Sequence, residues 1–158
     1  MIVIADTTPI RYLVLLGYAD LLPRLYGEVV IPIAVFDELT LVSSPEKVRQ
    51  FVAAKPDWLE LRPLSKPVSA ALLEILDRGE SEAIELAIEM SAGLILIDER
   101  LGRSVAEKRG LKFTGTLGLL QDAASRGWLD LRLALDELDK ANFYFSADLR
   151  RRFLEGIK

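Results

Sequence analysis

The strongest constraint on the fold is a set of short apolar runs that alternate with helix-forming segments. Residues 2–4 are Ile-Val-Ile with an apolar residue on either side, and similar runs occupy residues 28–32 and 94–98. An apolar run without polar alternation is typical of a strand that is buried on both faces of a parallel sheet. Because such strands need helical crossovers, the sequence predicts a three-layer α/β/α domain with a central parallel sheet.

The intervening segments complete this pattern. Apolar spacing predicts two helical pieces in residues 9–26 and further helices at 34–42, 46–55, 69–76 (ending at Gly79), 81–90 (with Ser81 as N-cap) and 99–110. Residues 58–64 alternate as an edge or antiparallel strand does, 112–113 suit a very short strand, and 115–127 read as a loop entering a helix. Two polar helices are predicted to close the chain. We therefore expect one domain over 1–158, with its core at about 1–130 and a helical extension at about 131–158.

Composition excludes several kinds of catalytic site. The 158-residue chain contains no cysteine and no histidine. This excludes a Ser-His-Asp triad, a cysteine nucleophile and a zinc site built from thiolates or imidazoles. Catalysis or metal binding must therefore depend on carboxylates, hydroxyls, lysine or arginine.

The N-terminal segment and the net charge bear on location and partners. The start of the chain lacks a basic segment, Asp6 interrupts its apolar run, and no apolar stretch is long enough to span a bilayer. We expect a cytoplasmic protein without membrane contact. The net charge of −4 argues against attachment to nucleic acid by overall charge, although it leaves room for a local basic patch.

Acidic residues stand where the predicted strands end. Asp6 and Asp98 each follow a buried apolar run, and Glu80 and Glu82 frame the start of a helix. The carboxyl ends of parallel strands and the helices that follow them share one edge of a sheet, so these acids are expected to converge there. Glu38 lies about two turns into the helix after the second strand.

Each acid also has a purely structural interpretation. Asp6 could be a helix cap, although Thr7 or Thr8 can also cap the helix that Pro9 begins. Glu82 shares a helix face with two later glutamates, which is typical of a solvated stripe. Glu38 could equally lie on the surface.

Electrostatics favours a functional site over these alternatives. Two carboxylates about 4 Å apart repel each other by roughly 4 kcal/mol at an effective dielectric constant near 20. Several carboxylates in one cleft therefore require protons or a cation, and sites made only of oxygen ligands suit Mg²⁺ or Mn²⁺. Metal-assisted hydrolysis of phosphodiesters fits the available residue types best.

Five segments follow one another in a fixed order along the chain. They are Asp6-Thr7-Thr8-Pro9, Pro32 with Asp37-Glu38-Leu39, Gly79-Glu80-Ser81-Glu82-Ala83-Ile84, Leu96-Ile97-Asp98-Glu99 with Gly102-Arg103, and Gly115-Thr116-Leu117-Gly118. Together they resemble a PIN domain, a fold that includes the VapC-type toxin ribonucleases of toxin–antitoxin pairs, and in particular a prokaryotic subgroup with a GE-x-EA motif.

The resemblance implies a metal-dependent endoribonuclease with a Mg²⁺ or Mn²⁺ site of three or four acids. Its ligands would be Asp6, Glu38, Glu82 and Asp98, with Glu80, Glu99, Thr7 and Thr8 as secondary candidates and Arg103 and Thr116 as substrate-binding residues. The family more often has an aspartate where this chain offers Glu80 or Glu82, which leaves the third ligand open. The implied partners are RNA, an antitoxin protein and a second copy of the chain.

Other classes of protein remain as alternatives. A catalytically degenerate PIN-fold interaction module would keep the fold without the nuclease activity. A haloacid-dehalogenase-type phosphatase needs a second acid where Thr8 stands, and a receiver domain needs an acid pair beside Asp6. The apolar residues of segment 12–22 suit either a dimer interface or the core. The arginines at 150–152 suit either RNA contact or a solvated helix face.

Overall fold

A computed structural model describes residues 1–156 of the chain. Its sheet contains five parallel strands in the order β3-β2-β1-β4-β5. The strands are β1 (Val3–Ala5), β2 (Val29–Ile31), β3 (Leu59–Leu61), β4 (Leu94–Leu96) and β5 (Phe113–Thr114). The predicted α/β/α fold with a parallel sheet is confirmed.

Helices connect the strands and close the chain. They are α1 (Thr7–Leu16), α2 (Leu21–Tyr26), α3 (Ile33–Thr40), α4 (Glu46–Ala54), α5 (Ala70–Ile75), α6 (Arg78–Glu89), α7 (Arg100–Lys108), α8 (Thr116–Ser125), α9 (Leu131–Lys140) and α10 (Ala147–Glu155). In residues 1–156, no helix is both long enough and apolar enough to cross a lipid bilayer.

The central strand β1 is apolar throughout because both of its faces are covered. Val3 and Ala5 pack into one buried cluster, whereas Ile4 packs into a second cluster on the opposite face of the sheet. Ile4 lies opposite Val30 of β2 and Ile95 of β4 in the parallel register. This two-sided burial explains the lack of polar alternation in the sequence and sets the ends of the three strands at one edge.

The start of α6 differs from the prediction. Asp77, rather than Ser81, is the N-cap, and it forms a reciprocal capping box with Glu80. The Glu80 backbone N–H donates to Asp77 Oδ1 over 2.8 Å, which fixes the N-cap four residues earlier than predicted. The preceding helix ends at Ile75, so Gly79 lies inside α6 and does not end α5.

Two further local predictions are corrected or refined by the structure. Asp6 occupies the N-cap position of α1, and Thr7 and Thr8 belong to its first turn. The strand β3 is an edge strand, as one reading of its alternation predicted, but it pairs in parallel with β2. The alternative of an antiparallel strand is wrong.

The apolar residues of segment 12–22 pack largely within the chain itself. Leu13, Val14, Leu21 and Leu22 are buried in the cluster on the α1 side of the sheet. The same cluster includes four residues of α9, namely Leu131, Ala134, Leu135 and Leu138. In contrast, α10 has no buried residue. The apolar side of α9 thus extends the core beyond residue 130.

Candidate active site

Asp6 is the innermost acid at the carboxyl edge of the sheet. Its backbone N–H donates to the Leu96 carbonyl over 2.9 Å, which continues the pairing of β1 with β4 and holds the residue at the strand end. The residue is 2% exposed, makes no side-chain capping bond to α1, and has no hydrogen-bond partner for Oδ1 among residues 1–156. A buried carboxylate oxygen without a partner is costly unless a proton or cation balances it. A simple capping role therefore does not explain Asp6.

Two other oxygen atoms lie with Asp6 Oδ1 around Gly79. The Thr7 hydroxyl donates to Glu38 Oε2 over 2.5 Å, which ties α3 to the start of α1. A methyl group on Gly79 would lie 2.8 Å from Glu38 Oε2 and 3.5 Å from both Asp6 Oδ1 and Thr7 Oγ1. The absence of a side chain at Gly79 therefore keeps a space free between these oxygens.

The electrostatics of Asp6 reflects this crowding. Burial raises the pKa of the Asp6 carboxyl from 3.8 to about 7. The backbone N–H of Thr7 opposes the shift, whereas the negative charges of Asp77, Glu38 and Asp98 add to it. A nearby cation would reverse this effect by favouring the ionised carboxylate.

Glu80 is a second buried acid of this region. It is 7% exposed; Oε1 accepts from the Asp77 backbone N–H over 3.4 Å, and Oε2 has no partner among residues 1–156. Burial, followed by the charge of Asp77, raises the pKa of Glu80 to about 8, and the charge of Asp6 also contributes. A methyl group on Gly102 would lie 3.0 Å from Oε2, so this glycine makes room for the carboxylate.

Glu82 lies in a different environment from Glu80. Its Oε1 accepts from the Ala34 backbone N–H over 3.1 Å, at the start of α3. Its Oε2 pairs with Arg78 over 3.1 Å, and Arg78 also reaches Asp37 over 3.4 Å. Both Glu82 oxygens therefore bind groups of the protein, and the charge of Glu82 is not among the main influences on Asp6.

Asp98 is positioned by the start of α8. The Thr116 backbone N–H donates to Asp98 Oδ1 over 2.7 Å, and the Thr116 hydroxyl donates to Oδ2 over 2.6 Å. Burial raises the pKa of Asp98, while the two bonds from Thr116 and the charge of Arg103 oppose the rise. Thr116 thus acts on Asp98, and Arg103 is near enough to influence its charge.

The remaining predicted residues lie farther out. Glu99 is exposed at the N-cap of α7, and Thr8 is partly exposed in the first turn of α1. Arg150 pairs with Asp136, and Arg151 and Arg152 pair with Asp148, as on a solvated helix face.

Sequence reasoning missed Asp77. Its charge is the first of the neighbouring acidic charges that raise the pKa of Asp6, and it also acts on Glu80. The detectable signal was an aspartate three residues before a glutamate, which is the pattern of a capping box. We use the name acid cluster for the residues whose charges interact around Asp6, namely Asp6, Glu38, Asp77, Glu80 and Asp98.

The acid cluster is not a closed metal cage. In residues 1–156, no three carboxylates stand in an arrangement that could hold one ion together. Mg²⁺ is commonly bound by one or two carboxylates and completes its shell with water and substrate phosphate. The unpartnered Oδ1 of Asp6, with Glu38 Oε2 close by beside Gly79, fits a site of that kind.

Comparison with known proteins agrees with the fold. A search of curated proteins found no match to this chain. A family model described as DUF3368, a PIN domain, matches residues 2–158. PIN domains are commonly metal-dependent nucleases. Because the match covers almost the whole chain, the protein belongs to this PIN-domain family.

Proposed function

We propose that this protein is a Mg²⁺- or Mn²⁺-dependent endoribonuclease and the VapC-like toxin of a toxin–antitoxin pair. The observation that carries the proposal is the buried, unpartnered Oδ1 of Asp6, which lies together with Glu38 Oε2 around Gly79, where no side chain separates them. Buried carboxylates without partners cost free energy, and a cation bound at this ligand-binding edge of the parallel sheet would offset that cost.

Asp6 and Glu38 would hold the ion, and Thr7 would orient the Glu38 carboxylate through its hydrogen bond. Bound there, Mg²⁺ or Mn²⁺ would activate water for in-line attack on a phosphodiester and neutralise charge on the phosphoryl oxygens. Asp98, oriented by Thr116, would contribute a further carboxylate from the β4 side of β1, whereas Glu38 lies on the β2 side. We propose Glu80, in preference to Glu82, as the additional acid, because Glu80 Oε2 is buried without a partner and the charge of Asp6 acts on Glu80, whereas both Glu82 oxygens are engaged by the protein.

The second candidate is a PIN-fold interaction module without nuclease activity. The observation that favours it is the lack of a three-carboxylate group in residues 1–156. Such a module would not bind Mn²⁺ specifically, so titration of the metal-free protein with Mn²⁺ against Ca²⁺ distinguishes the two functions. An antitoxin and a second copy of the chain are proposed partners under the nuclease function.

The direct test is cleavage of a mixed pool of single-stranded and structured RNA. We expect cutting with Mn²⁺ or Mg²⁺, none with EDTA, and growth arrest when the protein is expressed alone. Equal inertness with every metal, together with unselective Mn²⁺ binding, would favour the interaction module.

The choice between Glu80 and Glu82 can be tested with matched substitutions. Glu80→Gln is expected to weaken Mn²⁺ binding by roughly 10-fold or more, as the loss of a supporting carboxylate does. Glu82→Gln should leave metal affinity within about threefold, because it changes only the pair with Arg78, whose side chain is 60% exposed, and the charged acceptor for the Ala34 backbone N–H. Calorimetric titration of both variants measures the contrast, and the reverse order of affinities would restore Glu82 as the ligand.

The role of Thr116 predicts a shift in the pH profile. Thr116→Val removes the hydroxyl bond to Asp98 and keeps the backbone one, so the pKa of Asp98 should rise further. Since Asp98 would act ionised, the acid limb of the rate profile should move to higher pH. Hydrogen bonds to charged groups contribute about 1.5–3 kcal/mol, so kcat/KM on the acid limb should fall by roughly 10-fold or more. Thr116→Ser, which keeps the hydroxyl, should behave like wild type; a loss of rate without a profile shift would contradict this role.

A further inference from the structure

A cavity of about 320 Å³ adjoins the acid cluster on the side of Asp98. Its lining includes the charged residues Asp98 and Arg103 and the aromatic residues Phe113, Phe143, Tyr144 and Phe153. The cavity therefore combines charged groups of the proposed catalytic region with aromatic rings. This is the arrangement that an amphipathic ligand with one anionic and one flat apolar part would require.

Two neighbouring aromatic residues of the cavity differ in how they are held: the ring of Phe143 is packed against the protein, and the ring of Tyr144 projects into solvent. Phe143 packs edge-on against Tyr12 with ring centroids 5.0 Å apart, which anchors the segment between α9 and α10. The next residue, Tyr144, is 90% exposed. A tyrosine ring in water on an anchored segment offers a stacking surface that costs little ordering when a ligand binds.

Arg103 supplies a cation to the lining of the cavity. It forms no ion pair with any carboxylate in residues 1–156 at bonding distance, yet its charge lowers the pKa of Asp98. A guanidinium that is not engaged by a carboxylate is available for a phosphate. The pairing of this cation with a projecting aromatic ring matches one nucleotide unit of a nucleic-acid strand.

We propose that this cavity binds one unpaired nucleobase of the substrate strand, stacked on Tyr144, with a neighbouring phosphate at Arg103. The inference rests on the proposed function and adds to it a subsite for one nucleotide. A base inside a duplex cannot present its face to a protein ring, so occupation of this subsite requires an unpaired base. Because the chain carries a net charge of −4, general charge attraction is weak and stacking becomes an important source of affinity.

The test measures binding without cleavage. The full chain in EDTA is titrated into a short single-stranded RNA that carries one 2-aminopurine, whose fluorescence falls when the base stacks. We expect quenching by wild type and by Tyr144→Phe, which keeps the ring. Tyr144→Ala should bind roughly 5- to 100-fold more weakly and should not quench. Arg103→Ala should weaken binding and reduce the slope of log affinity against log salt by about 0.7.

Several results would overturn the inference. Equal affinity for single-stranded and duplex RNA, equal affinity for RNA with an abasic site, or unchanged binding by Tyr144→Ala would each do so. If Tyr144→Ala alters only self-association, measured by sedimentation, the cavity is a protein-docking surface and the inference fails.

The same experiment separates this inference from the proposed function. Loss of quenching in Tyr144→Ala supports the nucleobase site even if wild type cleaves nothing with Mn²⁺. Metal-dependent cleavage that Tyr144→Ala leaves unchanged, with unchanged RNA affinity, supports the nuclease and overturns the nucleobase site.

Discussion

Replacing Asp6 by asparagine is expected to abolish metal-dependent RNA cleavage and to stabilise the metal-free protein near pH 8. Both effects have the same cause, which is a carboxylate that is 2% exposed and leaves Oδ1 without a partner. Without a cation, the negative charge of Asp6 opposes folding. When a cation is bound, the Asp6 carboxylate is the ligand on which the proposed activity depends.

The sign of the pH dependence follows from the pKa of Asp6, which burial raises from 3.8 to about 7. The folded protein binds a proton that the unfolded chain has already released, so stability falls as pH rises from about 4 to about 7 and changes little above that. A rise of about 3 pKa units corresponds to about 4 kcal/mol at most. An asparagine amide that must find a partner costs about 1 kcal/mol or more, so the net gain in the free energy of unfolding is about 1–3 kcal/mol.

Denaturant unfolding of the metal-free proteins between pH 4 and pH 9 measures the effect. Asp6→Asn should gain stability over wild type at pH 8 and lose that advantage near pH 4. The matched control is Asp20→Asn, because Asp20 is also an N-cap without a side-chain bond but is exposed. It should change stability by less than about 0.5 kcal/mol at any pH. An Asp6→Asn variant that is less stable at every pH, or that still cleaves RNA, would contradict this account.

Much of this architecture is predictable from the sequence because the strands carry a strong physical signal. Val3 and Ile4 point to opposite faces of the sheet and both faces are covered, so successive residues of the strand must all be apolar. The acids Asp6 and Asp98 then follow at the strand ends, where ligands bind in open parallel sheets.

The finer arrangement depends on helix phase, which the sequence left ambiguous. Glu80 and Glu82 are two residues apart, so they point about 200° apart around the helix axis. Which of them faces Asp6 depends on where α6 begins, and Asp77 decides this through its capping box. A helix that is predicted to begin at Ser81 does not show which of the two glutamates faces Asp6. It also leaves Gly79 outside the helix, although Gly79 belongs to α6 beside the site.

The contacts that orient the acids depend on sheet order, which alternation of strands and helices does not reveal. The bond from Thr7 to Glu38 spans 31 residues, and the bonds from Thr116 to Asp98 span 18 residues. The first requires β1 beside β2, and the second requires β4 beside β5. Neither pairing can be derived from local propensity, so the orienting role of both threonines emerges only from the folded chain.

Gly79→Ala is expected to remove metal binding while leaving the fold intact. The new methyl group would lie 2.8 Å from Glu38 Oε2, so the Glu38 carboxylate must move away and leave its bond to Thr7. The metal affinity and kcat/KM should fall by roughly 10- to 100-fold or more, because the opening beside Asp6 is lost together with an oriented acid. Gly79 is the second residue of α6, where alanine in place of glycine favours folding by less than the about 1 kcal/mol of a helix interior, so the melting temperature should stay close to that of wild type.

A double-mutant cycle with Glu38→Ala tests whether the methyl group acts through Glu38. If it does, the two substitutions should be strongly non-additive in Mn²⁺ affinity, because Gly79→Ala has little left to disturb once the carboxylate is gone. Calorimetric titration of the four proteins gives the coupling, and unfolding curves show that each variant is folded. Additive losses, or a Gly79→Ala protein that unfolds several degrees earlier than wild type, would mean that the methyl group strains the backbone of α6. The space beside Gly79 would then be a packing feature and not the opening in which the proposed ion is held.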